Sequence, residues 1–343
     1  MVPVDLADLH VHPALPWAGT LWRRYVQGFR PASLETRGHP HRSPSDAAAP
    51  SLRVHGAVFY ETYLLRPEAA RRRLFRSLES FRGRLEAREG NRLILAAADL
   101  DPARLAAGGG EAFFLAVESM RFLRDPADVG RLWDRGVRSL QPIHFLDTRW
   151  GGSSREGMLP ESRTGLTGLG REMLAEMARL GLILDLAHMS LKNAEECLAA
   201  YPGPVMCSHA GFQGIKVNAR NVTADLAREI FRRRGLVGVT CWRHLLGQDP
   251  SRAKREKGPD PLRAAWTRSY CATVAALAAL APEARVAVGS DRGAPIRAPA
   301  WFYTPAHLEE MTACLAGYGW EPARIRGFFR DHALEFLTRS LPA

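Results

Sequence analysis

Six side chains that can bind metal ions fall at matching places in this sequence. His10, His12, Glu118, His188, His209 and Asp291 each end or directly follow a short apolar run. A lone histidine at such a place is more often a hydrogen-bonded structural residue than a ligand. His10 and His12 are stronger as a pair, because alternate residues of a strand face one side and two imidazoles can then grip one ion. Imidazole with carboxylate is the ligand set of zinc and similar divalent ions. Six such groups exceed one tetrahedral site and suit two metals that share a carboxylate. Two metals can supply a hydroxide nucleophile at neutral pH and polarise a carbonyl. A seventh group, His144, ends another apolar run.

Eight elements must bring these groups together. Strand-like runs occur at 4–11, 53–60, 112–118, 137–143, 182–187, 204–208, 236–241 and 285–290. Helical patterns lie between most of them, at 67–89, 125–135, 169–180, 191–200, 223–233 and 261–280, and another follows at 305–317. Runs such as LILDLA and VGVTC are continuously apolar, as strands buried on both faces require. Gly181 and Gly235 stand where a helix should end before the next strand. A short run at 92–97 fits the alternation less well. Eight βα units predict an α/β fold, a (β/α)8 TIM-type barrel with long loops at its C-terminal face; a doubly wound open sheet is the alternative. The barrel is favoured because six of the eight strands deliver a His, Glu or Asp at one edge. The whole chain, 1–343, reads as a single barrel domain. Loop insertions are expected at about 30–52, rich in Pro, Ser, Arg and His, and at 247–261, which is polar and charged.

Composition narrows the class. Apolar residues make up 46% and charged residues 24%, the profile of a packed globular chain. No run approaches the roughly 18 apolar residues of a membrane span. The opening Met-Val-Pro-Val-Asp-Leu-Ala-Asp has no apolar core of a secretory signal, and a cytoplasmic protein is expected. The net charge of +11 raises a nucleic-acid reading, but of 47 basic residues only Lys192, Lys216, Lys254 and Lys257 are lysines. Such arginine bias, with abundant Ala and Gly, looks like codon usage rather than a phosphate-binding surface. The clusters at 71–73 and 232–234 are expected to be solvated helix faces. Five cysteines with no CxxC pair give neither a disulfide framework nor a zinc ribbon, and buried free thiols are expected.

Six motifs, in order, resemble the renal (membrane) dipeptidase family, the M19 peptidases of the amidohydrolase superfamily. FFLAVES resembles the strand that ends in the family's bridging glutamate, here Glu118. VRSLQPIH resembles the strand leading to its substrate-facing histidine, here His144. GLTGLGREMLAEMARLGLILDLAHMS leads to a second-metal ligand, His188, and PVMCSHA to His209. NARNVTADL places Arg220 as the group that binds a substrate carboxylate, and VAVGSD places Asp291 as the catalytic acid. The resemblance implies two zinc ions, with His10 and His12 on the first, His188 and His209 on the second, and Glu118 between them. It further implies that a hydroxide between the metals would attack the scissile carbonyl. By the same resemblance Asp291 would move the proton from nucleophile to leaving amine, His144 would hydrogen-bond the oxyanion, and Arg220 would clamp the carboxylate.

Three features depart from the family pattern. The first motif is usually His-x-Asp, and here it is His10-Val-His12, which removes one negative charge from the ligand set. After Gly289-Ser290-Asp291 the chain reads Arg292-Gly293, without the usual aromatic and second Asp-Gly. The 30–52 loop has little family character; its His39 and His41 are expected to be exposed loop residues.

The expected activity is a zinc-dependent dipeptidase-like hydrolysis of a dipeptide, or a similar small amide with a free carboxylate. The alternatives are another amidohydrolase activity (on N-acyl amino acids, lactones or cyclic amides) or a non-catalytic metal-binding barrel. Neither nucleic acid nor a membrane is an expected partner. Oligomeric state stays open, a homodimer included.

Overall fold

The computed structural model describes residues 5–12, 53–60, 65–107, 111–157, 159–247, 261–292, 302 and 304–343. Nine strands occur among them: β1 (Leu6–Val11), β2 (Arg53–Phe59), β3 (Arg92–Leu93), β4 (Ala112–Glu118), β5 (Val137–Gln141), β6 (Ile183–Asp185), β7 (Val205–Ala210), β8 (Leu236–Val239) and β9 (Val286–Val288). All pair in parallel. The ring β1-β2-β4-β5-β6-β7-β8-β9 closes through the β1–β9 and β2–β4 pairings. This is the expected (β/α)8 barrel. The short run near 92 lies outside the ring: β3 pairs with Ala112 and Phe113 of β4, below Leu115, where β5 starts to pair.

The period of two along each strand makes the core and the site one construction. In β4, Phe113, Leu115 and Val117 pack outward with the helices. Ala112, Phe114 and Ala116 fill the interior beside Ile183, Met206, Leu236 and Ala287. Glu118 is the next position on that interior face. The interior is thus packed with side chains up to the level where the polar residues begin.

The helices follow the alternation with small shifts. They are α1 (Pro67–Glu86), α2 (Pro102–Ala107), α3 (Ala127–Asp134), α4 (Gly168–Leu180), α5 (Leu191–Ala200), α6 (Ala224–Arg232), α7 (Pro261–Ala278), α8 (Pro305–Gly317), α9 (Pro322–Arg326) and α10 (His332–Ser340). Thr167, Ser190, Thr223 and Thr304 cap α4, α5, α6 and α8 by accepting first-turn N–H groups. Gly181 ends α4 in the left-handed conformation, as expected. After α6 it is Arg234 that turns left-handed (φ 59°). Gly235 serves a different need, because a Cβ there would stand 2.7 Å from the Val205 carbonyl.

Three helices fall outside the predicted elements: α2, α9 and α10. Ala333, Phe336 and Leu337 of α10 join the interior cluster and close the barrel where its strands begin. The arginine clusters are also less idle than expected. Arg71 pairs with buried Asp128 at 2.6 Å, and Arg233 donates to the carbonyls of Leu198, Tyr201 and Gly203. The five cysteines are free, and all but Cys314 are buried. No helix among the described residues is long and apolar enough to cross a membrane. The predicted insertions at 30–52 and 247–261, with His39 and His41, lie outside the described residues except for Gly247 and Pro261.

Candidate metal centre

Strand ends and the turns that leave them place the polar groups. Glu118 ends β4, and β1 carries His10 with His12 one residue past its end. The β7–β8 register shifts between Cys207 and Ala210, and both Ser208 and His209 take part in the cluster. His188 and Asp291 follow β6 and β9, whose ladders are shorter than the apolar runs. Both take left-handed backbone angles (φ 67° and 57°), as do Ser119 and Glu156 (φ 65° and 58°). Non-glycine residues adopt that region at a cost of about 1 kcal/mol or more, and such residues cluster at functional sites.

The five residues expected to bind metal converge and are all buried. His10 Nε2 and His12 Nε2 lie 3.3 Å apart, and His188 Nε2 and His209 Nε2 lie 2.9 Å apart. Glu118 stands between the pairs. Its Oε2 is 3.6 Å from His12, and its Oε1 is 3.2 Å from His188 and 3.8 Å from His209. His10-His12-Glu118 and Glu118-His188-His209 each offer three ligand atoms within one ion's reach. Two nitrogens on a tetrahedral ion at 2.0–2.1 Å are separated by about 3.3 Å, which the His10–His12 pair matches, while the His188–His209 pair would open by a few tenths of an ångström.

The outer nitrogens of His10 and His209 are fixed, which leaves their inner ones free. Ser208 Oγ lies 3.0 Å from His10 Nδ1 and 2.8 Å from His209 Nδ1. Its hydroxyl also bonds the Asp185 carboxylate. A hydroxyl has one proton and two lone pairs. Donating to Asp185, it accepts an N–H from both imidazoles and turns both Nε2 lone pairs inward. Asp185 completes a third group with His10 and His209. Its Oδ1 already accepts from the Ser208 and Ala187 N–H groups, which makes it an outer partner. Asp8 does the same on the other side, accepting from Ser290 N–H at 2.9 Å and Ser290 Oγ–H at 2.5 Å. The Ser208 carbonyl passes so close to Gly238 and Gly289 that a Cβ on either would stand within 2 Å of it.

Electrostatics follow from burial. Burial pulls His10 and His209 well below the ordinary histidine range, so both are neutral, as ligands must be. Burial alone would raise Glu118; the surrounding imidazoles, His144 first, and the hydrogen bond with His188 reverse this and hold it well below the carboxylate range. Burial raises Asp291 despite its hydrogen bond with His12. Burial also takes His144 down to about 4, with its Nε2 3.8 Å from Glu118 Oε1.

Arg220 is buried beside this cluster, with Nε 3.7 Å from Glu156 Oε2. Glu156 Oε1 in turn accepts a hydrogen bond from His188 Nδ1–H. The charges of His188 and Arg220 overcome burial and set Glu156 at about 2. The structure thus gathers His10, His12, Glu118, His144, His188, His209, Arg220 and Asp291 at one end of the barrel. Sequence reasoning missed Glu156, Ser208, Asp8, Asp185 and Tyr60, whose ring meets His12 edge-on and His144 at a tilt, at 5.2 and 5.7 Å. Ser208 and Asp8 were within reach, since each sits one or two residues from a chosen histidine. Glu156 lies among small residues of a loop, and nothing in its spacing marks it.

Known proteins agree with this architecture. Dipeptidase tcpJ of Claviceps purpurea is 26% identical over 254 residues, covering 70% of this chain and 59% of that protein. An uncharacterised dipeptidase of Schizosaccharomyces pombe is 27% identical over 128 residues, covering 37% and 31%. The chain therefore spans less than two thirds of these curated relatives. Two solved structures share the fold. Dipeptidase AC, a metallopeptidase of family M19, gives a TM-score of 0.76 at 21% identity over 99% of this chain and 100% of that one. A Rhodobacter sphaeroides metallopeptidase, liganded with a phosphinate mimic of L-Ala-D-Ala, gives 0.75 at 20% over 98% and 99%. Residues 41–339 match the profile of the membrane dipeptidase family, and the chain belongs to that family, peptidase family M19.

Proposed function

We propose that this chain, as one barrel domain, hydrolyses the amide bond of a dipeptide or a similar small amide bearing a free carboxylate, with two zinc ions. The observation that carries this reading is the Glu118 carboxylate between two imidazole pairs, with buried Arg220 one residue away through Glu156. His10 and His12 would hold the first ion, His188 and His209 the second, and Glu118 both. Bound there, such ions supply Lewis acidity toward the carbonyl and make water nucleophilic near neutral pH.

The chain's own residues do the rest. Arg220 offers a planar pair of N–H donors to the terminal carboxylate and fixes the substrate's register. His144, neutral above about 4, donates an N–H to the carbonyl oxygen as charge develops on it. Asp291, raised by burial, takes the proton of the attacking water and passes it to the leaving amine nitrogen. The five thiols suit a reducing cytoplasm.

A substrate panel tests the reading. Purified, zinc-loaded protein should cleave L-Ala-L-Ala or L-Ala-D-Ala, and cleave their C-terminal amides at least tenfold more slowly. Equal cleavage of free and amidated forms removes the role given to Arg220. Cleavage of lactones or cyclic amides in their place favours another amidohydrolase activity on the same centre.

A further inference from the structure

We propose that Glu156 is a shared positioning residue: one carboxylate oxygen fixes His188 at its metal site while the other holds Arg220 for the substrate's carboxylate. The Arg220 half rests on the function proposed above; the His188 half does not.

The chain builds Glu156 into this place at some cost. Arg155, Glu156 and Gly157 are three consecutive left-handed residues (φ 52°, 58° and 66°). Such a run is unfavourable for non-glycine residues and persists only where its surroundings hold it. The surroundings are on both sides. Gly152, Ser153 and Ser154 run antiparallel to His188, Met189 and Ser190, with Ser154 N–H donating to the His188 carbonyl and Ser190 N–H to that of Gly152. The same strap reaches His144, whose carbonyl accepts from Ser153 Oγ–H at 2.7 Å. On the other side Gly157 abuts Asn218, where a Cβ would meet Oδ1 at 2.4 Å. That Oδ1 caps the Arg220 backbone N–H at 2.8 Å. Glu156 is thus pressed between the turn that carries His188 and the turn that carries Arg220.

Its two oxygens do different work. Oε1 accepts the His188 Nδ1–H bond, which leaves the Nε2 lone pair facing Glu118. Oε2 stands 3.7 Å from Arg220 Nε, a buried nitrogen with no hydrogen-bond partner among the described residues. Charge, rather than a direct hydrogen bond, keeps the guanidinium there and leaves its remaining donors for a ligand. An amide of the same shape can serve one neighbour only. Whichever end of it faces Arg220, the negative charge is gone.

The test uses Glu156→Gln with two independent measurements. Zinc affinity is read on the apo-protein by chelator competition, without substrate. Selectivity is read as the ratio of kcat/KM for L-Ala-L-Ala to that for its C-terminal amide. The expected result is a second zinc equivalent bound 10–100-fold more weakly, together with a tenfold or greater fall in the ratio, carried by KM. Native values in either measurement overturn the shared role. Arg220→Ala is the control. If it too keeps the native ratio, the substrate reading fails and the shared role with it, while the zinc measurement still reports on His188. If Glu156→Gln does not fold, Glu156→Asp takes its place. It keeps the charge, loses one methylene, and should show a smaller loss in both readings; native values in either again overturn the proposal.

Discussion

His12 Nε2 stands 3.2 Å from Asp291 Oδ1, closer than it stands to Glu118. Burial opposes a charge on His12, but the Asp291 hydrogen bond and the charges of Glu118 and Asp291 raise its pKa above the ordinary histidine value. The family resemblance leads one to expect a carboxylate at this position. An aspartate there would face Asp291 and Glu118 with like charge and need a cation to relieve it. Histidine relieves it without one.

The first prediction follows from that exchange. His12→Asp should hold the first zinc equivalent at least tenfold more tightly, because an anionic ligand replaces a neutral one. The acidic limb of its rate profile should move up by about one pH unit, since a more anionic ligand set makes bound water less acidic. Metal titration and kcat/KM against pH check the two. No difference in either would mean that the charge at 12 does not tune the site.

Removing metal should cost stability. Five imidazoles crowd one carboxylate, with Nε2 atoms as close as 2.9 Å. Binding to the folded state at 1,000 times Kd adds about 4 kcal/mol. For a chain of this size that is on the order of 10 °C in Tm. Chelator should lower Tm by that amount, and two zinc equivalents should restore it. A chelated protein that melts at the native temperature would leave the cluster without a metal role.

Ser208→Ala should weaken both ions at once. The hydroxyl is the common partner of His10 Nδ1 and His209 Nδ1, one from each imidazole pair. Losing such an outer partner costs about 10–100-fold in metal affinity. Ser208→Thr keeps the hydroxyl and should recover most of the loss. Stepwise zinc titration should show both equivalents loosened; loss of only one would contradict the bridging geometry.

Much of this centre was legible because barrel and ligands share one rule. Inward positions recur every second residue, and where the apolar ones stop, at Ala116 of β4, the next inward residue is Glu118. The same rule over-extends β6 and β9: the strand-like runs continue to His188 and Asp291, but those residues leave the ladder to turn left-handed. Glu156 could not be found this way. Its burial depends on a loop folding back along His188 and Met189, a pairing between distant segments that no local pattern encodes. Helix α10 is the opposite case. Ala333, Phe336 and Leu337 stand at the i, i+3, i+4 spacing of a buried helix face. It was missed because it adds to the barrel's end rather than to the alternation of strands and helices.

The last prediction concerns acid stability away from the metal centre. His307, in α8, is fully buried against Trp266 and Phe302, with Nε2 3.2 Å from Thr267 Oγ. Burial chiefly, with the charge of Arg263, pushes its pKa down to about 3. In the unfolded chain the same imidazole takes a proton below about 6.5. Between those values the unfolded state binds more protons, so stability is intact above about 6.5 and falls as the pH drops toward 3. The slope reaches about 1.4 kcal/mol per pH unit. His307→Gln keeps a polar group near Thr267 and cannot titrate. Urea unfolding of both zinc-loaded proteins at pH 7.5 and 5.5 separates this group from the others, which are common to both. The native chain should lose about 1.4 kcal/mol more than the variant over that interval. Equal losses would mean that His307 accepts its proton in the folded state and is not held neutral by its aromatic surroundings.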